Sequence, residues 1–555
     1  MRKIKLLILA ICGICTVSCN DFLDTKPQDG IGSDNMWKTP EHAELGVTAI
    51  YHAVRQKNVY TLYGMNDCFT PIAFCMNTGG SFDEFRSYTF CCGTATSSTK
   101  LFSDKWESLY VGIARANDAI AHLPGMETLT ETQRNGYLAE AHFLRALFYF
   151  NLLDFYSGFD ADDAGIPLYL EPIDYENAYL PRAKPGAVKA AMLDDLNFAI
   201  QYLPAKASKG RANKWAAYVL KGKVYLFGKE WKKAGDNFGQ VILNGPYKLH
   251  NDYYDLFQLS GENNEESIFV VSNLADNYGS FTDLLYSTRS GNCAGTNTSI
   301  PTPTLADTYA YKDGTPFNMD EFKVAFKAKN GRELDWKKKE DVEQVFANRD
   351  PRLEASIIRP YATFVGSGGK TYEFRYPYDK KQDCLRTNNE LNNHYCWRKF
   401  VNVGNETTIR RHSPTDWPIM RLGDVLLMFS EARNEDVGAV DSVRWAYNQI
   451  RTRPTVNMPA ISLAESMDKD GMRQLIRNER VVELAGEGYH YSDIRRWYRK
   501  DPGFDISTLS HDVNEFTGKK METRKFTKRE FLFAIPQSEL DMNPYLKPQN
   551  MGWEN

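Results

Sequence analysis

The chain has 555 residues, a formal net charge of −4, an apolar fraction of 42% and an aromatic fraction of 13%. That much apolar material can fill a large core, and with no low-complexity tract it argues against wholesale disorder. A near-neutral balance without a long basic run argues against nucleic acid as the partner.

In chain order, the N-terminus reads as an export signal outside the fold. Arg2, Lys3 and Lys5 form a basic region, and residues 6–14 form an apolar run too short for a stable membrane span. The run ends in Thr16-Val17-Ser18-Cys19, which has the form of a bacterial lipobox with Thr16 in place of the usual aliphatic residue. Cys19 is therefore expected to be the acylated first residue of the mature protein, anchored by several acyl chains at ~0.8 kcal/mol per buried CH₂. A plain secretory signal with Cys19 left as a thiol is the alternative. Removing residues 1–18 takes away three positive charges and no negative ones, which moves the balance from −4 to −7. Seven cysteines follow Cys19: Cys68, Cys75, Cys91, Cys92, Cys293, Cys384 and Cys396. An odd number cannot all pair internally, and no CxxC pairs point to zinc. They read mainly as small buried apolar residues, with Cys384 and Cys396 a candidate disulfide for geometry to decide.

Residues 19–39 read as a polar tether and 40–555 as a single body. Pro40 opens a helix with an apolar side at Leu45, Ala49, Tyr51 and Val54. Residues 60–98 lose the helical period under Gly64, Pro71, Gly79, Gly80 and Gly93, and read as a long structured loop of the kind that carries function. Helices are expected over 101–123, 131–156 and 184–203. Between the last two, Asp160, Asp162 and Asp163 lack the alternation of a calcium loop and read as a solvated turn.

The stretch from Trp215 to Pro246 follows the tetratricopeptide pattern, with Tyr218, Gly222, Tyr225, Ala234, Phe238 and Pro246 at the consensus spacings. Gly222 and Ala234 are small where two helices cross, and Pro246 ends the unit. Lys221 departs from the pattern. One such unit cannot bury its apolar face alone, so further helix pairs are required.

Residues 247–411 are irregular, with a strand at 267–272 and a loop at 277–303 rich in Gly, Ser, Thr, Asn and aromatics. Tyr372, Phe374, Tyr376 and Tyr378 alternate at the strand period and share one face, as a buried face or as an aromatic platform. Helices are expected again over 417–434, 440–451 and 472–500, followed by a proline-punctuated tail that packs back across the body.

Eight segments, in order, carry a resemblance over nearly the whole mature chain: CNDFLDTKP, WESLYVGIARAND, AEAHFLRALFYFNLLDFY with IPLYLEP, FANRDPRL, WPIMRLGDVLLMFSEARNE, YNQIRTRP, IRNERVVELAGEGYHYSDIRRW and IPQSELDMNPYLKPQNMGW. The sequence resembles the RagB/SusD family of nutrient-binding outer-membrane lipoproteins. The resemblance implies a mainly α, SusD-like fold: a tetratricopeptide-like scaffold of four helix pairs over about 40–244 and 417–451. Long loops at about 60–98 and 247–411, with a few short strands, would form the ligand face, and a C-terminal helix and packing tail would fill 472–555. It also implies a lid over a SusC-like TonB-dependent transporter. One departure is SGFDADDAG between Tyr156 and Ile166, where the family has a shorter glycine link.

Glu479, Glu483 and Glu487 recur at i, i+4 among Arg477, Arg480, Arg495 and Arg496. Paired carboxylates could serve glycoside hydrolysis, but carboxylates stacked with arginines read as structural ion pairs. Asn348-Arg349-Asp350-Pro351-Arg352 reads in the same way as a structural charged turn. HExxH, GxSxG and phosphate-loop spacings are all missing, and no cofactor or metal is expected.

A sugar binder needs flat aromatic faces and planar polar side chains. The first loop offers Asn66, Asp67, Phe82, Asp83, Arg86 and Tyr88. The second offers Tyr278, Phe281, Tyr286, Arg289, Asn292 and Asn297, with Trp336, Tyr395 and Trp397 as outer candidates. Trp37, Trp106 and Trp497 read as framework. The functional expectation is a non-catalytic surface protein that captures oligosaccharides, with a glycan, the membrane and the transporter as partners. Capture of peptides, a purely protein-binding helical adaptor and a surface hydrolase are the competing readings.

Overall fold

The computed structural model describes residues 36–76, 80–275, 278–288, 295–366, 368–376, 394–403, 412–462 and 468–554, with backbone alone at 80–84. The lipobox and most of the tether lie outside these residues. Among the described residues, no helix is long and apolar enough to cross a membrane.

Eight helices pack in series as four pairs. They are α1 (Pro40–Val54), α2 (Lys100–His122), α3 (Glu131–Tyr156), α4 (Pro185–Tyr202), α5 (Lys214–Phe227), α6 (Trp231–Asn244), α7 (Leu422–Val437) and α8 (Asp441–Arg451), each in contact with the next. The α6–α7 contact spans the long 247–411 segment, so that segment leaves and rejoins one continuous stack.

Local chemistry explains the helix starts. Thr39 caps α1 by accepting from His42 N–H, with Pro40 in the first turn. Thr130 and Gln133 form a reciprocal capping box on α3, and Asn213 accepts from two N–H groups at the start of α5. Nearly every α3 residue from Leu138 to Tyr156 is buried, as expected of the central helix of a stack.

The tetratricopeptide spacing has a direct steric basis. A Cβ on Gly222 would lie 2.5 Å from Phe238 Cε1, so the Phe238 ring occupies the space a side chain there would need. Ala234 and Phe238 are fully buried at this crossing. Tyr225 stays half-buried, with the ammonium groups of Lys189 and Lys233 over its ring, and Lys221 reaches Asn197 Oδ1 at 2.6 Å.

Two helix expectations need correction. The run at 417–434 begins as a strand, β5 (Trp417–Arg421), paired with β2 (Ser267–Val271), and only Leu422 starts the helix. The expected helix at 472–500 is two helices, α9 (Lys469–Leu484) and α10 (His490–Tyr498). Gly486 and Gly488 break it at φ +80° and +83°, and a Cβ on Gly488 would lie 2.0 Å from Tyr63 O.

The first part of the 60–98 loop does not stand out from the body. Val59 to Met76 is almost wholly buried, in short helical turns and a strand, β1 (Ala73–Cys75). That strand pairs antiparallel with β3 (Ser299–Pro301) and joins the two presumed display loops to each other. The tail packs back as expected. Phe533 N–H donates to Phe155 O at 2.8 Å, and its ring lies among Phe69, Phe90, Phe102, Phe155, Tyr156 and Tyr491.

Trp106 and Trp497 are buried, and Trp37 stacks on His122 at 5.8 Å, all framework positions. Asp160, Asp162 and Asp163 form an ion-pair cluster with Arg499 and Lys500, with Asp163 buried, so this turn is less solvated than expected. No group of side chains able to hold a metal ion occurs among the described residues.

Replacing Gly222 with Ala is expected to destabilise the protein by ~1–3 kcal/mol through overpacking. Gly136→Ala in α3, where a Cβ would meet nothing within 4 Å, is expected to stabilise by ~0.5–1 kcal/mol. Denaturant midpoints of the two variants check the opposite signs.

Candidate functional site

Seven of the expected ligand contacts lie in the interior. Asp67 is fully buried and accepts from Gly486, Gly488 and His490 N–H at 2.9, 3.1 and 3.3 Å, so it braces the turn between α9 and α10. Burial pushes its carboxyl up to about 7 against the opposing pull of those backbone donors. Asn66 is buried beside it. Tyr88 stacks on Phe69 at 5.4 Å.

Tyr286 donates to Gly486 O at 3.0 Å and stacks on Trp397 at 5.6 Å, and Trp397 Nε1 donates to Ser299 Oγ. Asn297 Nδ2 lies 2.8 Å from His394 Nε2 and 3.3 Å from Cys396 Sγ. Tyr395 is 1% exposed, packed against Phe346 and Phe516. These residues hold the 60–98 and 247–411 segments together instead of displaying them.

The remaining candidates divide. Tyr278 is 60% exposed, with Arg55 over its ring, and the half-buried Phe281 carries Lys57 Nζ at 4.7 Å from its centroid. Trp336 is half-buried against Phe516 at 4.9 Å, and Arg86 is exposed. Arg289, Asn292 and the side chains of Phe82 and Asp83 lie outside the described residues. Of the alternating tyrosine stretch, Phe374 is buried while Tyr372 and Tyr376 are half-buried, and Tyr378 lies outside the described residues. Cys396 is a buried free thiol, and Cys384 lies outside the described residues.

The glutamates of α9 are structural. Glu483 takes Arg421, Arg453 and Arg352 at 2.8, 3.0 and 3.1 Å. Glu487, in the turn after α9, takes Arg421 and Lys399, and Glu479 takes Arg352 and Arg451. Glu266 completes the group through Arg421 and Arg453. Desolvation opposes charge on Glu483, but the three guanidinium groups outweigh it and hold the carboxyl down at about 2. Asp350 caps the short helix Pro351–Ser356 and also holds Arg352, so the charged turn is structural as expected. Every carboxylate here is spent on an arginine or lysine, leaving no poised acid and base.

Three recesses open around the 247–411 segment. One, of about 720 Å³, is walled by Trp215, Tyr247 and Phe257 and includes the buried Gln258, whose carboxamide finds no partner. A second, of about 870 Å³, is lined by Tyr254, Tyr361, Phe364, Arg359 and Arg398. A third, of about 940 Å³, has Tyr311, Phe322 and Phe326 on its wall. Such volumes, with aromatic rings set among polar and charged side chains, suit small ligands.

Sequence reasoning missed Tyr254, Tyr361 and Arg398. Arg398 directly follows β4 (Cys396–Trp397), whose two residues are both buried, and is itself half-buried, so no alternation along the strand marks it.

Glu483→Gln is expected to cost ~3–5 kcal/mol by stranding buried guanidinium charge. Because Glu483 titrates below its ordinary 4.5 in the fold, its stabilisation is complete above that pH and is lost as pH falls towards about 2. Chemical denaturation across that range should show the wild type losing stability and the variant losing less.

Comparison with known proteins agrees with this architecture. Residues 261–553 match the family described as the SusD family, and residues 21–226 match one described as starch-binding and associating with the outer membrane. SusD-like protein P25 of Formosa agariphila is 24% identical over 544 residues, covering 95% of each chain. A solved SusD-like protein from Bacteroides fragilis aligns with TM-score 0.77 at 24% identity, over 95% of this chain and 100% of that one. A laminarin-binding SusD-like protein aligns with TM-score 0.66 at 22% identity, over 93% and 100%. With more than half of its length inside the first of these family matches and its helix stack shared with the solved structures, the chain belongs to the SusD family.

Proposed function

We propose that this protein is a non-catalytic surface lipoprotein that captures oligosaccharides and passes them to a SusC-like TonB-dependent transporter in the outer membrane. The observation that carries the reading is the set of accessible aromatic rings and ligand-sized recesses along the 247–411 segment, with the glutamates of α9 committed to ion pairs. Tyr278 and Phe281 present rings near Arg55 and Lys57, and Trp336 adds an indole. Flat apolar faces flanked by fixed polar groups suit the CH face and hydroxyl rim of a pyranose. The family description of starch binding at the outer membrane, and a neighbour named for laminarin binding, point to the same ligand class. Acylation at Cys19 would keep the body at the membrane beside its transporter.

Calorimetric titration against glycans and peptides tests the ligand class: glycan binding without turnover supports the reading, and cleavage of the ligand or exclusive peptide binding overturns it. Tyr278→Ala is expected to weaken glycan affinity about tenfold, ~1.4 kcal/mol, with an unchanged melting temperature because the ring is largely solvated. Pull-down of the lipidated protein from outer membranes should recover a TonB-dependent barrel, and its absence would remove the delivery step.

A further inference from the structure

The 870 Å³ recess holds a guanidinium that no carboxylate pairs among the described residues. Among the described residues Arg398 forms no ion pair, with Glu354 acting on it only from beyond ion-pair distance, and its guanidinium makes one hydrogen bond, from Nη2 to Thr363 O at 2.8 Å. Its Nε is shut off from solvent without an acceptor. The other cations on this wall are occupied. Arg359 binds Glu354 through Nε and Glu343 through both Nη atoms, and Arg352 is held by Asp350, Glu479 and Glu483. Among the wall carboxylates, Glu354 is taken by Arg359, and Asp252 Oδ1 accepts from Tyr254 and Asp255 N–H.

Partly buried charges are ordinarily paired, because removing an ion from water costs more than one neutral hydrogen bond returns. Here the missing counter-charge faces a recess that also carries the rings of Tyr254, Tyr361 and Phe364. A guanidinium edge is a planar fork that matches two oxygens of one oxyanion, which an ammonium cannot do.

We propose that this recess selects an acidic sugar residue, with Arg398 binding the oxyanion of a uronate carboxylate or a sulfate ester. The inference rests on the glycan-binding reading and adds the ligand's charge. An oxyanion there would complete the pairing that the protein omits, and the tyrosine rings would flank the sugar. Affinity would fall with ionic strength, as expected of a charge contact in a solvent-open recess.

The test is calorimetric titration of the full-length lipidated protein in neutral detergent with three probes: oligogalacturonate, a sulfated galactan oligosaccharide and the matching neutral galactan oligosaccharide. At least one acidic probe should bind tenfold or more tightly than the neutral one, and which one does separates carboxylate from sulfate. Arg398→Met should bring that ratio close to one, and Arg398→Lys should restore only part of it, with thermal melts confirming that both variants fold. Neutral binding equal to or tighter than acidic binding overturns this proposal and leaves the glycan reading standing. An acidic preference that survives Arg398→Met also overturns it. Failure of all three probes to bind counts against both.

Discussion

The structure depends on the buried exchange of charge between Arg352, Arg421, Arg453 and Lys399 on one side and Glu266, Glu479, Glu483 and Glu487 on the other. These groups come from segments far apart in sequence: the residue before β2, the short helix at Pro351–Ser356, the residues after β4, the end of β5, the segment after α8, and α9 with its following turn. No single segment can bury its charge alone, because an unpaired ion in the interior costs several kcal/mol. The parts of the 247–411 segment that carry these groups are thereby committed to one position against the helix stack. A second group around Arg480, Asp424, Asp493, Arg496 and Glu431 does the same between α7, α9 and α10.

Rigidity at the face follows from that commitment. Asp67 reaches from the first loop region to the Gly486–Gly488 turn, Tyr286 reaches the same turn from the second, and β1 pairs with β3 between them. Polar residues that look like ligand contacts are therefore fastened to the α9–α10 junction. What remains outside is a sparse set of rings and recesses whose positions are set by interior bonds. A binding protein benefits from this arrangement, since less ordering entropy is lost when ligand arrives.

The aromatic excess has a similar explanation. Phe533 of the tail lies among six rings drawn from the first loop, α2, α3 and α10, so the C-terminal segment helps to form the core. Aromatic side chains bury 150–250 Å² each, which suits joints between irregular segments that lack a helical ridge-and-groove fit. Abundant Tyr and Phe therefore served packing before recognition, and counting them could not separate the two uses.

The sequence alone determined the helix stack, because a 3.6-residue apolar period and the small residues at Gly222 and Ala234 are local properties of the chain. It also determined that the glutamates after residue 478 belong with arginines, since their spacing and surroundings are visible without a fold. Glycine and proline punctuation marked the loops correctly, yet punctuation records where the helical period ends and says nothing of whether a segment then faces water or core. Only the tertiary structure decided that Asp67, Tyr286, Asn297 and Trp397 turn inward and that Tyr278 stays out. The positive φ angles of Gly486 and Gly488 split one expected helix into two for the same kind of reason: the backbone of Tyr63, more than 400 residues away in sequence, lies where a side chain at Gly488 would have to go. Burial is a property of the neighbours that folding brings, and for Arg398 those neighbours, among the described residues, include no ion-pair partner.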